Sequence, residues 1–177
     1  MRIGWACATA ALAIAASGAA RAEVVDVSES GFRIRNVATI AASPETVYAA
    51  LGRIGRWWDP AHSYSEKAGA MTLSLTPGGC FCETVGTGGA RHGVVVLALP
   101  NRLLRIDAAL GPLEDEAATG ALTFEITKAG AGVEVVQTYN VSALRPDSAK
   151  RHAGPVDHVI GEQLQRFKRY VETGTPD

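Results

Sequence analysis

The stretch from Pro155 to Thr173, PVDHVIGEQLQRFKRYVET, constrains the fold of this 177-residue chain more than any other. Val156, Val159, Ile160, Leu164, Phe167 and Val171 recur at helical spacing and share one arc of a helical wheel. His158, Glu162, Gln165, Lys168, Arg169 and Glu172 take the opposite side. The pattern predicts an amphipathic helix about 28 Å long, with Gly154 as a break and Pro155 in the first turn. Its apolar arc needs a partner surface. The residues before it read mostly as strands, so the expectation is an α+β chain whose curved antiparallel sheet closes on this helix.

Taken in order, residues 23–31 are polar and read as a short lead-in. FRIRNVATIA, 32–41, sets Phe32, Ile34, Ala38 and Ile40 against Arg33, Arg35 and Thr39, the alternation of a half-buried strand, with Asn36 on the apolar side. Ser43-Pro44-Glu45 then combines a cap residue, a first-turn proline and an acid where the helix dipole favours one. Val47, Ala50, Leu51 and Ile54 form the buried stripe of that helix. Trp57-Trp58-Asp59-Pro60 ends it, and adjacent side chains cannot both point the same way. One indole is expected in the core, the other at a cavity or its mouth. Alternating segments follow at 71–76, 79–85, 92–99, 102–110, 121–127 and 133–144, joined by glycine- and proline-rich turns and one acidic loop at 111–119. The order is strand, helix, five or six strands, helix, with six to seven strands in all.

Composition bounds the function. With 47% hydrophobic and 20% charged residues the chain suits a single domain. Residues 1–22 differ: a basic start, an apolar alanine-rich run and Ala20-Arg21-Ala22 match a signal peptide cleaved after Ala22, so the mature domain runs 23–177 with its core at 32–174. The expected location is the periplasm or outside the cell. A retained anchor is the rival reading, but the run is short and no stop-transfer cluster follows. No later stretch approaches the ~18 apolar residues of a membrane span. Losing Arg2 and Arg21 leaves 15 basic against 18 acidic side chains, a net charge of −3, which argues against nucleic acid as partner. Cys80 and Cys82 remain. Residues i and i+2 of a flat strand lie nearly ~7 Å apart, too far for a comfortable bridge, so free thiols or a link to another molecule are expected.

Several polar side chains fall on faces that pattern assigns to the interior. Gln163 interrupts the apolar arc of the last helix, Gln137 and Tyr139 share a face with Val133, Val135 and Val141, and Glu83 alternates with Phe81 and Val85. With Trp57 and Trp58 they are the candidate ligand-binding residues, because pockets orient a guest with a few polar groups in an apolar lining. The alternative is that they only satisfy one another inside a solid core. A buried Glu83 would carry a raised pKa and serve as acid or base, whereas the other strand parity would leave it solvated. His62 and Tyr64 belong to a loop that either forms a lid or is merely exposed. Cys80, Cys82 and His92 lack the spacing of a zinc site, so neither a metal nor a cofactor is expected. Nothing in the sequence places His92 against Cys82 as a thiol-activating base. The Asn140-Val141-Ser142 sequon lies in a predicted strand and carries no weight.

ATIAASPETVYAALGRIGRWWDP, the TPGGCFCE turn, HGVVVLALPNRLLRI and DHVIGEQLQRFKRYVETG together resemble the Bet v 1-like, START-related superfamily called SRPBCC, in its branch similar to the activator of Hsp90 ATPase and the polyketide cyclases. The resemblance implies a helix-grip fold with a cavity for apolar ligands between sheet and C-terminal helix, and no shared catalytic set. Cys80 and Cys82 stand where that branch commonly has a basic or polar side chain. An exported protein would not meet the cytosolic chaperone. The leading expectation is therefore an exported binder of a small apolar or aromatic molecule. The alternatives are a cyclase- or hydratase-type enzyme using Glu83 or Tyr139 as acid or base, and a protein-interaction domain using the convex sheet or the acidic loop at Glu114, Asp115 and Glu116.

Overall fold

The computed structural model describes residues 21–177. Apart from Arg21 and Ala22, the segment read as a signal peptide lies outside the described residues. Eight strands form one antiparallel sheet: β1 (Arg21–Val27), β2 (Phe32–Ile40), β3 (Met71–Leu73), β4 (Cys80–Val85), β5 (Gly88–Leu99), β6 (Leu103–Asp107), β7 (Thr119–Ala129) and β8 (Gly132–Ser142). Their spatial order is β1-β2-β8-β7-β6-β5-β4-β3. Three helices accompany them: α1 (Pro44–Leu51), α2 (Pro112–Asp115) and α3 (Ser148–Thr173). Among the described residues no helix is long and apolar enough to cross a membrane.

From β3 to β8 each strand lies beside its successor in the chain. The joint that matters is β2 against β8, a ladder from Phe32 opposite Val141 to Ile40 opposite Val133. It turns a long meander into a curved wall with its buried side chains on one face. On β2 these are Phe32, Ile34, Asn36, Ala38 and Ile40, and on β8 Val133, Val135, Gln137, Tyr139 and Val141. The helix α3 lays Ile160, Leu164 and Phe167 onto that face. Phe167 meets Trp57 edge to face at 5.0 Å between ring centroids, which ties α3 to the segment after α1. At the head of α1, the Ser43 hydroxyl accepts the Thr46 N–H at 3.2 Å and Pro44 fills the first turn.

The eighth strand is β1, where the sequence suggested a polar lead-in. An edge strand is held by its backbone ladder, and Val25 and Val27 are exposed, so no apolar alternation announces it. The C-terminal helix also starts seven residues earlier than Pro155 predicts. Proline inside a helix removes one hydrogen bond and crowds the preceding turn, at about 3 kcal/mol. Burial of Ser148, Ala149 and Ala153 opposes that cost, as does a clamp from Glu116 just beyond α2. The Glu116 carboxylate accepts from the Ser148 hydroxyl, from His152 Nε2 at 2.9 Å and from Arg151 Nη2 at 3.4 Å, with Arg145 at 3.9 Å. At its far end α3 closes on Gly174, whose φ of 87° suits glycine and whose N–H reaches the Tyr170 carbonyl.

Two predictions follow from this packing. The Ser148 and His152 hydrogen bonds, aided by Arg145, outweigh desolvation and hold the Glu116 carboxyl at about 2, below its ordinary 4.5. A depressed carboxyl stabilises the fold above its unfolded value and stops doing so as pH falls through its folded one. Amide protection across Ala149–Ala153 is therefore expected to weaken from pH 4.5 towards 2 and to be low already at neutral pH in Glu116→Gln, as read by hydrogen exchange. The second concerns Asn36 and Gln137, which pair through one hydrogen bond of 3.1 Å while Asn36 Oδ1 and Gln137 Nε2 have no partner among the described residues. Replacing both by leucine is expected to leave stability unchanged or raise it, whereas Asn36→Ala alone lowers it by about 1–3 kcal/mol, as measured by urea unfolding.

Candidate ligand cavity

A cavity of about 300 Å³ lies beneath the N-terminal half of α3. One side is Pro155, Val156, Val159 and Ile160 of that helix, another is Leu110, Gly111 and Pro112 leading into α2, and a third is the loop from Trp58 to Tyr64. Apolar side chains make up most of the lining. The polar remainder is concentrated in His62, Tyr64, His92 and His152, so three of the chain's four histidines meet here.

His92 owes its orientation to a break in the ladder between β4 and β5. Gly93 opposes Phe81 and Arg91 opposes Cys82, which leaves His92 as an extra residue on β5. Such a bulge resets the alternation of a strand and re-aims a side chain. His92 and Gly93 are consequently both buried, with His92 only 8% exposed. Its Nε2 lies 2.8 Å from Glu83 Oε2, and its ring stacks with Tyr64 at 5.4 Å with an 8° tilt and meets Phe81 at 4.9 Å with a 39° tilt.

Glu83 points inward from β4, and both its oxygens are engaged. Oε1 accepts the Ser65 N–H at 2.5 Å, and Oε2 accepts the Tyr64 N–H at 3.1 Å as well as the His92 bond. Burial alone would raise its pKa, but the donors from Ser65, Tyr64 and His92 outweigh burial and leave the carboxyl below its usual range. The raised pKa expected of a buried Glu83 is thus corrected: the carboxylate is buried together with its donors.

The other two histidines also stand beside carboxylates. His152 pairs with Glu116 as described. His62 has donor atoms of Asp59 and Glu162 within 4.8 Å, and among the described residues this trio is the group able to hold a divalent metal. Its loop is well anchored: the Trp58 indole N–H donates to the His62 carbonyl at 2.9 Å, Asp59 Oδ1 accepts the Ala61 N–H at 2.9 Å, and Gln163 Oε1 accepts the Asp59 N–H at 2.8 Å.

Of the six residues singled out from the sequence, Trp58 lines the cavity and the other five do not. Trp57 is in the core, its indole N–H on the Ala50 carbonyl at 3.1 Å. Gln163 is fully buried and positions the Asp59 backbone, and Gln137 pairs with Asn36. Tyr139 donates its hydroxyl to the Ala108 carbonyl at 2.9 Å and accepts the Leu110 N–H at 3.0 Å, which fixes the chain entering the α2 wall. Burial pushes its pKa up, and the bare Gly120 leaves room for it, since a Cβ there would sit 3.0 Å from the hydroxyl. The acid–base pairing of Glu83 with Tyr139 is therefore not formed, as neither group lines the cavity.

His62 and Tyr64 are wall residues. His92 drew notice in the sequence only beside the cysteines and His152 drew none, because a bulge and a helix extension place them at the wall. Cys80 and Cys82, expected apart, form a disulfide with Cα atoms 5.4 Å apart. That separation is shorter than flat-strand spacing and lies within bridging range. Phe81 and Glu83 face inward, so the bridge lies on the other face from His92, which removes both the zinc and the activated-thiol readings.

The family described as "Polyketide cyclase / dehydrase and lipid transport" matches residues 31–172. Similar solved structures include a conserved protein of unknown function from Enterococcus faecalis, with a TM-score of 0.61, 16% identity and coverage of 87% of this chain and 78% of that one. The Aha1 dimer from Colwellia psychrerythraea gives 0.53 at 18% identity, covering 80% and 97%, and CalU16 from Micromonospora echinospora gives 0.51 at 16%, covering 84% and 83%. At these identities the likeness is one of fold. No curated protein matches the sequence. With a sheet and long C-terminal helix in the helix-grip arrangement and a family match over most of its length, the chain belongs to the polyketide cyclase/dehydrase and lipid transport family of the SRPBCC superfamily.

Proposed function

We propose that this protein binds a small, mainly apolar or aromatic molecule in the cavity beneath α3. The observation that carries the reading is the lining itself: Trp58, Leu110, Val156, Val159 and Ile160 supply an apolar surface, and a few histidines converge on it. About 300 Å³ is the scale of a small ring system, at the lower end of ligand pockets. The Trp58 indole offers a flat face for stacking. We place this activity in the periplasm or outside the cell, with residues 1–22 removed as a leader and Glu23 as the mature start. Support for that comes from the Arg2 start, the alanine-rich run and Ala20-Arg21-Ala22. Retention of Cys80 and Cys82 as a bridge suits an oxidising compartment.

Native mass spectrometry of the protein as the cell processes it tests the reading. The expected result is a retained apolar ligand, or uptake of an added hydrophobic fluorophore such as 1-anilinonaphthalene-8-sulfonate with one-to-one stoichiometry. Val159→Trp fills the cavity and is expected to weaken that uptake by tenfold or more. Equal uptake by this variant, or no ligand retained or taken up at all, would remove the cavity from consideration.

A further inference from the structure

We propose that the Cys80–Cys82 bridge is a thiol–disulfide exchange site, and that its substrate is a dithiol segment of a protein with acidic residues around its cysteines. The site is independent of the cavity. Phe81 and Glu83 point to the inner face of the sheet, and the two cysteines between and beside them to the outer one.

A bridge that serves a fold ties together elements that would otherwise separate. This one joins two residues of a single strand, two positions apart, and the ladder already holds both. Cys82 pairs with Thr72 of β3 and Arg91 of β5, and Cys80 with Val94 of β5. The loop it closes is very short, where the gain from restricting the unfolded chain is smallest. Stability therefore gives little reason for the bridge.

Its surroundings suit exchange. Both cysteines are partly exposed, and Cys80 borders an open groove of about 600 Å³ between the segment after α1 and the edge strand β3. Arg53, Arg56, Thr72 and Ser74 share that groove, and no carboxylate lines it. Arg91 is exposed and stands opposite Cys82 in the ladder, so the two side chains share a face. Arg53, Arg56 and Arg91 form no salt bridge among the described residues. Cations around a bridge favour thiolates over thiols and draw in an acidic partner.

Placement divides the roles: Cys80, at the groove, is the sulfur attacked, and Cys82, beside Arg91, is the one that leaves. A substrate thiol gives its proton to water, and the thiolate forms an S–S bond with Cys80 Sγ. The Cys80–Cys82 bond breaks with its electron pair on Cys82 Sγ, opposite the Arg91 charge. The second substrate thiolate, its proton also lost to water, attacks the substrate sulfur of the mixed disulfide. The substrate disulfide closes and Cys80 departs as thiolate. Both cysteines then take protons from water. The substrate has lost two electrons and the bridge has gained them. A second disulfide, such as oxidised glutathione, restores the bridge by the reverse exchange.

The test uses the purified protein and two synthetic peptides with two cysteines each, one flanked by aspartates and one by lysines. The bridge is expected to oxidise the acidic peptide at least about tenfold faster, with the gap narrowing at high salt. Mass spectrometry should find the acidic peptide trapped on Cys80 in Cys82→Ser, and about tenfold less of it on Cys82 in Cys80→Ser. Arg91→Gln should slow the reaction about threefold or more with an unchanged circular dichroism spectrum. Urea unfolding of the unsubstituted protein should show nearly the same midpoint with the bridge reduced as with it intact. A bridge that resists reduction until the chain unfolds, or whose reduction unfolds the sheet, is a staple and overturns the proposal. Equal rates with the two peptides overturn the acidic substrate, and equal trapping on Cys82 overturns the division of roles.

Discussion

The cavity depends on the buried Glu83 carboxylate. Taking an ion out of water costs several kcal/mol, and the cost is met only if each lone pair finds a donor. Here the donors come from two places distant in the chain: the Tyr64 and Ser65 amides from the loop after α1, and His92 from the bulge of β5. One side chain thus holds a loop, a strand and a ring in fixed relation. Loss of its charge would leave two backbone amides and an imidazole buried without a strong acceptor. The loop carrying Trp58 and His62 would then be fastened mainly by Gln163 and its own turns.

Glu116 performs a comparable service on the other side, and the comparison explains why α3 ignores its proline. Its partners Ser148, Arg151 and His152 all lie in the segment before Pro155, where local propensity alone would end the helix. The clamp joins the α2 wall to the start of α3 and sets His152 facing the cavity. Tertiary bonding has overridden a local signal, and the override builds one wall of the site.

What could be read from the sequence was whatever repeats with a regular period. The alternation in β2 and β8 identified their inward faces, including Asn36, Gln137 and Tyr139, and the helical arc assigned Ile160, Leu164 and Phe167 to the core. The adjacency of Trp57 and Trp58 implied a division of labour without saying which indole took which side. Irregular features left no such trace. Alternation counted back from Val95 sends Gly93 inward and His92 outward, and only the bulge reverses the latter. The spacing of a flat strand was likewise a poor guide to Cys80 and Cys82, whose Cα atoms are only 5.4 Å apart. For β1 the missing signal is burial, since a ladder at a sheet edge needs no apolar face. The candidate site was harder to read than the fold for this reason: its polar groups sit at departures from regularity, where strain and bulges are commonly found.

The walls of the cavity divide by origin. Val156, Val159 and Ile160, from the exposed-to-buried border of α3, supply only volume and curvature, while the Glu83–His92 pair is built into the sheet and braced by a loop that the helix touches elsewhere. Substitutions at those three helical positions would change which molecular outline is admitted and leave the imidazole and its carboxylate undisturbed. The outline of the cavity and its buried polar pair are in that sense separable, so a single aliphatic exchange on the helix would reshape the space and leave the sheet-borne pair in place.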